Sequence, residues 1–230
     1  MKRNILLSAV GVAALFFVSC SKESDNGSLS YRIKPANFTA SVGSAASAGG
    51  LAVNVNTNSS ISWTSGSMNV SEIDFEAKKD NQEIENEYKN LVNVDLLNLS
   101  PVIGNINLPD GLYQEVELKL AFKKSTAAMP LTLKGIYTNS TGEKIPVEFY
   151  FNEDTELKAE AENIEVKAND HIGYINLQLN KLLTNIGQAD LGSATKTNGT
   201  IVISSTSNPD LYNKFIVNLN SFSDCDFDDH

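Results

Sequence analysis

From residue 29 onward, apolar and polar residues alternate in short runs separated by turn formers, the period-two signature of half-buried strands. Leu29, Tyr31 and Ile33 form the first run, which ends near Pro35. A segment rich in Ser, Ala, Gly and Asn follows over 41–60, with one alternation at Leu51, Val53 and Val55. Met68 and Val70, then Ile73, Phe75 and Ala77, alternate with a slip in phase between Val70 and Ile73, which predicts a β-bulge. Val92, Val94 and Leu96 make another run, and Val116, Leu118, Leu120 and Phe122 another, the latter against Glu115, Glu117 and Lys119 on the opposite side.

The runs at 131–137 and 147–151 flank Asn139-Ser140-Thr141-Gly142-Glu143 and predict a hairpin. Leu157, Ala159 and Ala161 are set among Glu156, Lys158, Glu160 and Glu162, a composition that suits a helix. Apolar residues at every second position would spread around a helix but fall on one side of a sheet, so the segment is read as a strand. Ile164 with Val166, Ile175 with Leu177 and Leu179, and Ile201 with Ile203 complete the set.

One segment has a helical period. Asn208-Pro209-Asp210 supplies an N-cap, a proline at the first helical position and a carboxylate in the first turn. Leu211, Phe215, Ile216 and Leu219 then share one face. Short helical turns are expected at 97–102 and 180–185. The fold class that follows is mainly β: an antiparallel β-sandwich of immunoglobulin or transthyretin type, with one C-terminal α-helix and short helical turns.

The first 28 residues follow a different pattern. Lys2 and Arg3 precede an apolar run over 5–18, too short for the roughly 20 residues that cross a bilayer core, and this combination marks a secretory leader. The run ends in Phe17-Val18-Ser19-Cys20, which resembles the lipobox of bacterial lipoproteins, with Phe in the place usually held by Leu. The resemblance implies cleavage before Cys20 and attachment of fatty acids such as palmitate to it. Each buried CH₂ contributes about 0.8 kcal/mol, and two or more chains make attachment stable. Residues 21–28 contain no apolar side chain and read as a flexible tether. By the same resemblance, Ser21 implies sorting to the outer membrane, and Lys22-Glu23 is similar to a reduced form of the acidic signals that send some lipoproteins to the cell surface. The organisation expected is a signal peptide over 1–19, a tether over 20–28, one β-sandwich domain over 29–220 and an acidic tail over 221–230.

Charge narrows the partners. The chain carries 28 Asp and Glu against 18 Lys and Arg, a formal charge of −10 that becomes −12 once Lys2 and Arg3 leave with the leader. Nucleic acid needs a basic footprint that this sequence lacks. Of the two cysteines, Cys225 has no partner if Cys20 is acylated, so the fold must hold by packing.

Candidate chemistry is sparse, and no cofactor is expected. The only histidines are His171, in what reads as a turn between strands, and His230, the last residue; neither a nucleophile elbow nor a nearby cysteine accompanies His171. Glu156, Glu160, Glu162 and Glu165 fit a solvated strand face better than a catalytic pair. Asp224, Asp226 and Asp228 have the alternating spacing that begins a calcium loop, but no glycine and glutamate follow to complete it. Trp63, Tyr137 and Tyr150, with Tyr113, suggest an aromatic platform for sugar rings; the competing reading places Trp63 at one end of the core.

Three stretches, "SGSMNVSEIDFEAKKD", "NVDLLNLSPVIGNINLPDGLYQEVELKLAF" and "INLQLNKLL", resemble in order and spacing the Bacteroidota lipoproteins that carry domain of unknown function 4382. The match centres on residues 94–99 and on Pro109-Asp110-Gly111-Leu112-Tyr113. The resemblance implies a fold class and an anchor, not a mechanism. The function expected is a non-catalytic, lipid-anchored component of the outer membrane with a binding or structural role, its partners the membrane and a glycan or another envelope protein. A glycan-binding module and a fimbria-like subunit, the latter with a displaceable edge strand near the N-terminus, are the two specific forms considered.

Overall fold

The structure is a computed structural model, and it describes residues 26–43, 59–80, 82–89, 92–97, 102–167, 170–219 and 223–228. The strands are β1 (Asn26–Ala36), β2 (Thr39–Ser41), β3 (Ser60–Val70), β4 (Glu72–Lys79), β5 (Gln82–Tyr88), β6 (Val92–Asp95), β7 (Val102–Pro109), β8 (Gly111–Phe122), β9 (Leu131–Thr138), β10 (Lys144–Phe151), β11 (Thr155–Val166), β12 (Asp170–Gln178), β13 (Lys196–Thr197), β14 (Thr200–Ile203) and β15 (Ser223–Asp228). The helices are α1 (Gln188–Gly192) and α2 (Pro209–Leu219), with a 3₁₀ turn at Lys181–Leu183. The predicted mainly β, sandwich-like architecture with a C-terminal helix is what the chain adopts.

Three sheets form. The first has the order β15-β12-β1-β7, the second β13-β14-β10-β9-β3-β2 with β6 also on β3, and the third β11-β8-β4-β5. Two pairings are parallel, β1 with β12 and β10 with β14; the rest are antiparallel, as expected for a meander-rich β-fold. The first and third sheets face each other across Tyr31 and Phe75, whose rings lie 5.4 Å apart. The second is covered by α2, where Phe215 stacks on Phe149 at 4.7 Å and meets Trp63 edge-on at 6.4 Å. Gly135 makes room for this packing: a Cβ there would stand 2.5 Å from the Ser62 carbonyl oxygen and 3.0 Å from the Trp63 ring.

The phase slip between Val70 and Ile73 has a different cause from the predicted bulge. At Ser71 the chain leaves the second sheet and enters the third, and the Ser71 N–H and hydroxyl both donate to the Ala121 carbonyl, at 2.9 and 2.8 Å. Among the described strands, four successive pairs make this crossing between the second and third sheets: β3 into β4, β5 into β6, β8 into β9, and β10 into β11. The molecule therefore has two storeys, a lower sandwich of the first and third sheets and an upper sheet-and-helix layer. Met68, Phe122, Leu131, Phe151, Leu157 and Leu219 meet at the waist between them.

Several boundaries differ from the sequence reading. β1 starts at Asn26, inside the expected tether, and it is a central strand paired on both sides rather than a displaceable edge. β5 and β7 were not predicted, and Val102, expected in a helical turn, opens β7. Segments 155–161 and 164–166 are one strand, with Asn163 in the left-handed region (φ 59°) skipped by the pairing to β8. The Asn208 side chain does not cap α2; it accepts from Thr195 N–H at 2.8 Å and donates to the Thr195 and Val202 carbonyls, holding the 195 strand entry in place. The expected alternation at 51–55 lies outside the described residues.

Candidate functional site

The most ordered polar arrangement lies on the outer face of the third sheet. Period-two alternation buries Ile73, Phe75 and Ala77 of β4 and Val116, Leu118 and Leu120 of β8, and turns the residues between them outward. Strand register then sets these residues in rows. Glu160, Glu117, Glu76 and Glu85 form one row across β11, β8, β4 and β5. Lys158, Lys119, Asp74 and Glu87 lie on one side of it, and Glu162, Glu115, Lys78 and Glu83 on the other. Neighbouring strands are about 4.8 Å apart, so four like charges abreast need counter-charges to coexist.

Lysines from the adjoining rows supply them. Lys119 Nζ lies 2.7 Å from Glu76 Oε1 and 2.6 Å from Glu117 Oε1, and Lys158 reaches both Glu117 Oε2 and, at 3.0 Å, Glu160. Lys78 bonds Glu115 at 2.8 Å, while Lys89 pairs with Glu87 and lies 3.8 Å from Glu72. Burial pushes the Glu117 carboxyl up, but Lys119 and Lys158 outweigh it and hold its pKa below the ordinary carboxylate value. Hydrogen bonding to Glu117 and then Glu160 pushes the Lys158 ammonium up to about 12. Glu72 and Glu87 share a hydrogen bond that raises the first and lowers the second. Two carboxylate groups, Glu72 with Asp74 and Glu87, and Glu115 with Glu117 and Glu160, bring their oxygens within 4.8 Å. In both, lysines pair with members of the group: Lys89 with Glu87, and Lys78, Lys119 and Lys158 with Glu115, Glu117 and Glu160.

A second polar feature is an open cleft of about 300 Å³ between α1 and the start of α2, lined by Asp190, Ser193, Thr195, Asn208, Asp210 and Lys214. Lys214 Nζ donates to both Asp190 oxygens at 2.7 Å, and the same carboxylate accepts the Gly187 N–H at 2.9 Å, closing the first turn of α1. Burial raises the Asp190 pKa, the Gly187 amide and Lys214 lower it, and the lowering prevails. The cleft is lined by hydroxyls, an amide, two carboxylates and an ammonium, of which Asn208, Asp190 and Lys214 are already hydrogen-bonded within the protein.

The predicted aromatic platform does not form. Trp63 is 4% exposed and Tyr137 2% exposed, both in the core, because they share strand parity with Ile61 and Ile145. Tyr150 lies on the opposite face of the same sheet, half-buried, with its hydroxyl donating to Glu148 Oε2 at 2.6 Å. Tyr113 is fully buried and donates to the Pro109 carbonyl at 2.7 Å. Sugar stacking needs coplanar exposed rings, and inward parity removes two of the three.

The acidic C-terminus is also different from its prediction. Asp224, Asp226 and Asp228 lie in β15, an extended strand paired with β12 through Asn176, Tyr174 and Ile172, whereas a calcium loop needs a tightly turned backbone. His171, expected in a turn, sits within β12 opposite Leu29. Glu156, Glu160, Glu162 and Glu165 are exposed along β11, as read. Cys20 and His230 lie outside the described residues. The glutamate row was missed because it is a property of register between four strands, although the alternating acids within β4, β8 and β11 carried part of its signal. Among comparisons with known proteins, no family model, no curated protein and no solved structure matches this chain.

Proposed function

We propose that the chain is a non-catalytic, lipid-anchored lipoprotein of the cell envelope, held at the outer membrane by acyl chains on Cys20 and serving there as a binding or structural component. The observation that carries this reading is the abrupt change at 14–28, where an apolar run ends in Phe17-Val18-Ser19-Cys20 and is followed at once by polar residues. The resemblance to lipoproteins with domain of unknown function 4382 agrees with it. The body is consistent with a structural role in one respect: Glu117 is ion-paired with both Lys119 and Lys158, an arrangement that stabilises a surface.

Partner recognition in this reading falls to polar surfaces, since the aromatic residues proposed for glycans are packed inside. The cleft beside α2 is one of several concave polar surfaces of the described residues, with those at 37–41 beside 180–184 and at 74–76 beside 85–87. The test is fractionation of cells expressing the wild-type chain or Cys20→Ser. The wild type is expected in the outer-membrane fraction with incorporated labelled palmitate. Cys20→Ser is expected to lose the label and leave that fraction; equal membrane retention without label would overturn the anchor.

A further inference from the structure

The two-storey fold has one end beside the N-terminal strand and one end far from it. Asn26, the first residue of β1, pairs with Pro109, the last of β7; Asp110 and Gly111 turn there into β8, and Gly111 pairs with Val166 at the end of β11. Lys79, at the end of β4, donates to the Asp110 carbonyl, and Asp80 N–H donates to Gln114 Oε1 at 2.9 Å. β12 begins and β15 ends at this same pole, through Ser28 with Asp170 and Ile172 with Asp228. From it the legs run away through the waist: β8 continues into β9 and ends at the 139–143 turn, beside the start of β3. The cleft beside α2 belongs to this far storey, since α2 covers the second sheet.

We infer that the molecule stands on the membrane by the pole formed around Asp80, Asp110 and Lys167, and presents the 139–143 turn and the α1–α2 cleft away from the lipid. The inference rests on the anchor at Cys20 proposed above. Six backbone steps separate Cys20 from Asn26, a reach of at most about 22 Å. The headgroup layer takes up roughly 5–8 Å of that reach. β3 and β4 alone, over 60–79, span up to roughly 65 Å if straight, so the tether is short beside the body it holds.

The experiment uses the full acylated protein, its acyl mass verified, in phosphatidylethanolamine–phosphatidylglycerol vesicles with an acceptor dye on the headgroup. Single donor dyes are placed at Asp110→Cys or Thr141→Cys in a Cys225→Ser background. Strong energy transfer at 110 and loss of transfer at 141 is the expected result. A flexible Gly-Ser insertion after Ser24 should reduce the signal at 110. Equal transfer from both sites, or more from 141, on verified acylated protein overturns the orientation and leaves the anchor standing. A chain that carries no acyl mass overturns both.

Discussion

The two storeys solve the same problem, covering a half-apolar sheet, in different ways. In the lower storey a sheet covers a sheet, and the solvent side of β4, β5, β8 and β11 is a lattice of ion pairs. In the upper storey a helix covers a sheet, and the solvent side carries hydroxyls, among them Ser62, Thr132 and Tyr150, with Lys134 paired to Glu148 at 3.0 Å. Burial of apolar area drives both. The lower one carries the denser set of ion pairs, against Lys134 with Glu148 and Lys214 with Asp190 in the upper one, so pH and salt should weigh more heavily on the lower storey.

The strongest way to break this comparison is to remove an aromatic from each storey. Phe149→Ala deletes the ring on which Phe215 stacks, and Phe75→Ala the ring against Tyr31; each should cost about 3–5 kcal/mol. Because several chain crossings and one continuous core join the storeys, denaturant unfolding of each variant should remain a single transition with a lower midpoint. Two transitions would mean the storeys fold independently.

Glu117→Gln sharpens the contrast at a smaller scale. It leaves Lys119 and Lys158 beside a neutral amide and should cost about 1–3 kcal/mol at neutral pH. The sign of its pH dependence follows from the lowered pKa. The stabilisation from Glu117 is present above the ordinary carboxylate value of 4.5 and is lost as pH falls through its lower folded value. The wild-type advantage over Glu117→Gln should therefore shrink in acid. Lys158 works in the opposite sense: its contribution is full below 10.5 and is lost as pH rises through about 12. Thermal melts across pH for the two proteins measure both limbs. A matching substitution in the upper storey, Thr132→Val, should leave the pH profile unchanged.

The smallest expected effect concerns Tyr31, whose hydroxyl is buried without a hydrogen-bond partner among the described residues and whose pKa burial drives far upward. Tyr31→Phe removes an unsatisfied polar atom and keeps the ring against Phe75, so stability should hold or rise by up to about 1 kcal/mol. A clear loss would show that the hydroxyl is satisfied in solution.

Alternation made most strands and the amphipathic α2 legible, including the hairpin of β9 and β10 and the choice of strand over helix at Leu157, Ala159 and Ala161. It failed where period two is interrupted. β7 carries an extra residue opposite the Tyr31–Arg32 step, which shifts Ile106 and Leu108 out of phase with Ile103. β5 is an edge strand whose inward residues, Ile84, Asn86 and Tyr88, are only half-buried, so its apolar signal is weak. The candidate site was less legible than the fold. Of the two readings of the aromatics, the one that places Trp63 in the core is what strand parity with Ile61 enforces, and Tyr137 goes inward with Ile145 in the same way. The glutamate row and the α1–α2 cleft arise from contacts between segments far apart in sequence, which no local pattern encodes.

The central claim is an acylated Cys20 that pins this body by a short tether, and the intact mass of the mature chain recovered from the outer membrane tests it most directly. The account predicts a chain that starts at Cys20 and carries the added mass of glyceride-linked fatty acids on that residue. A mature chain with an unmodified thiol at position 20, recovered from the soluble fraction, would contradict it.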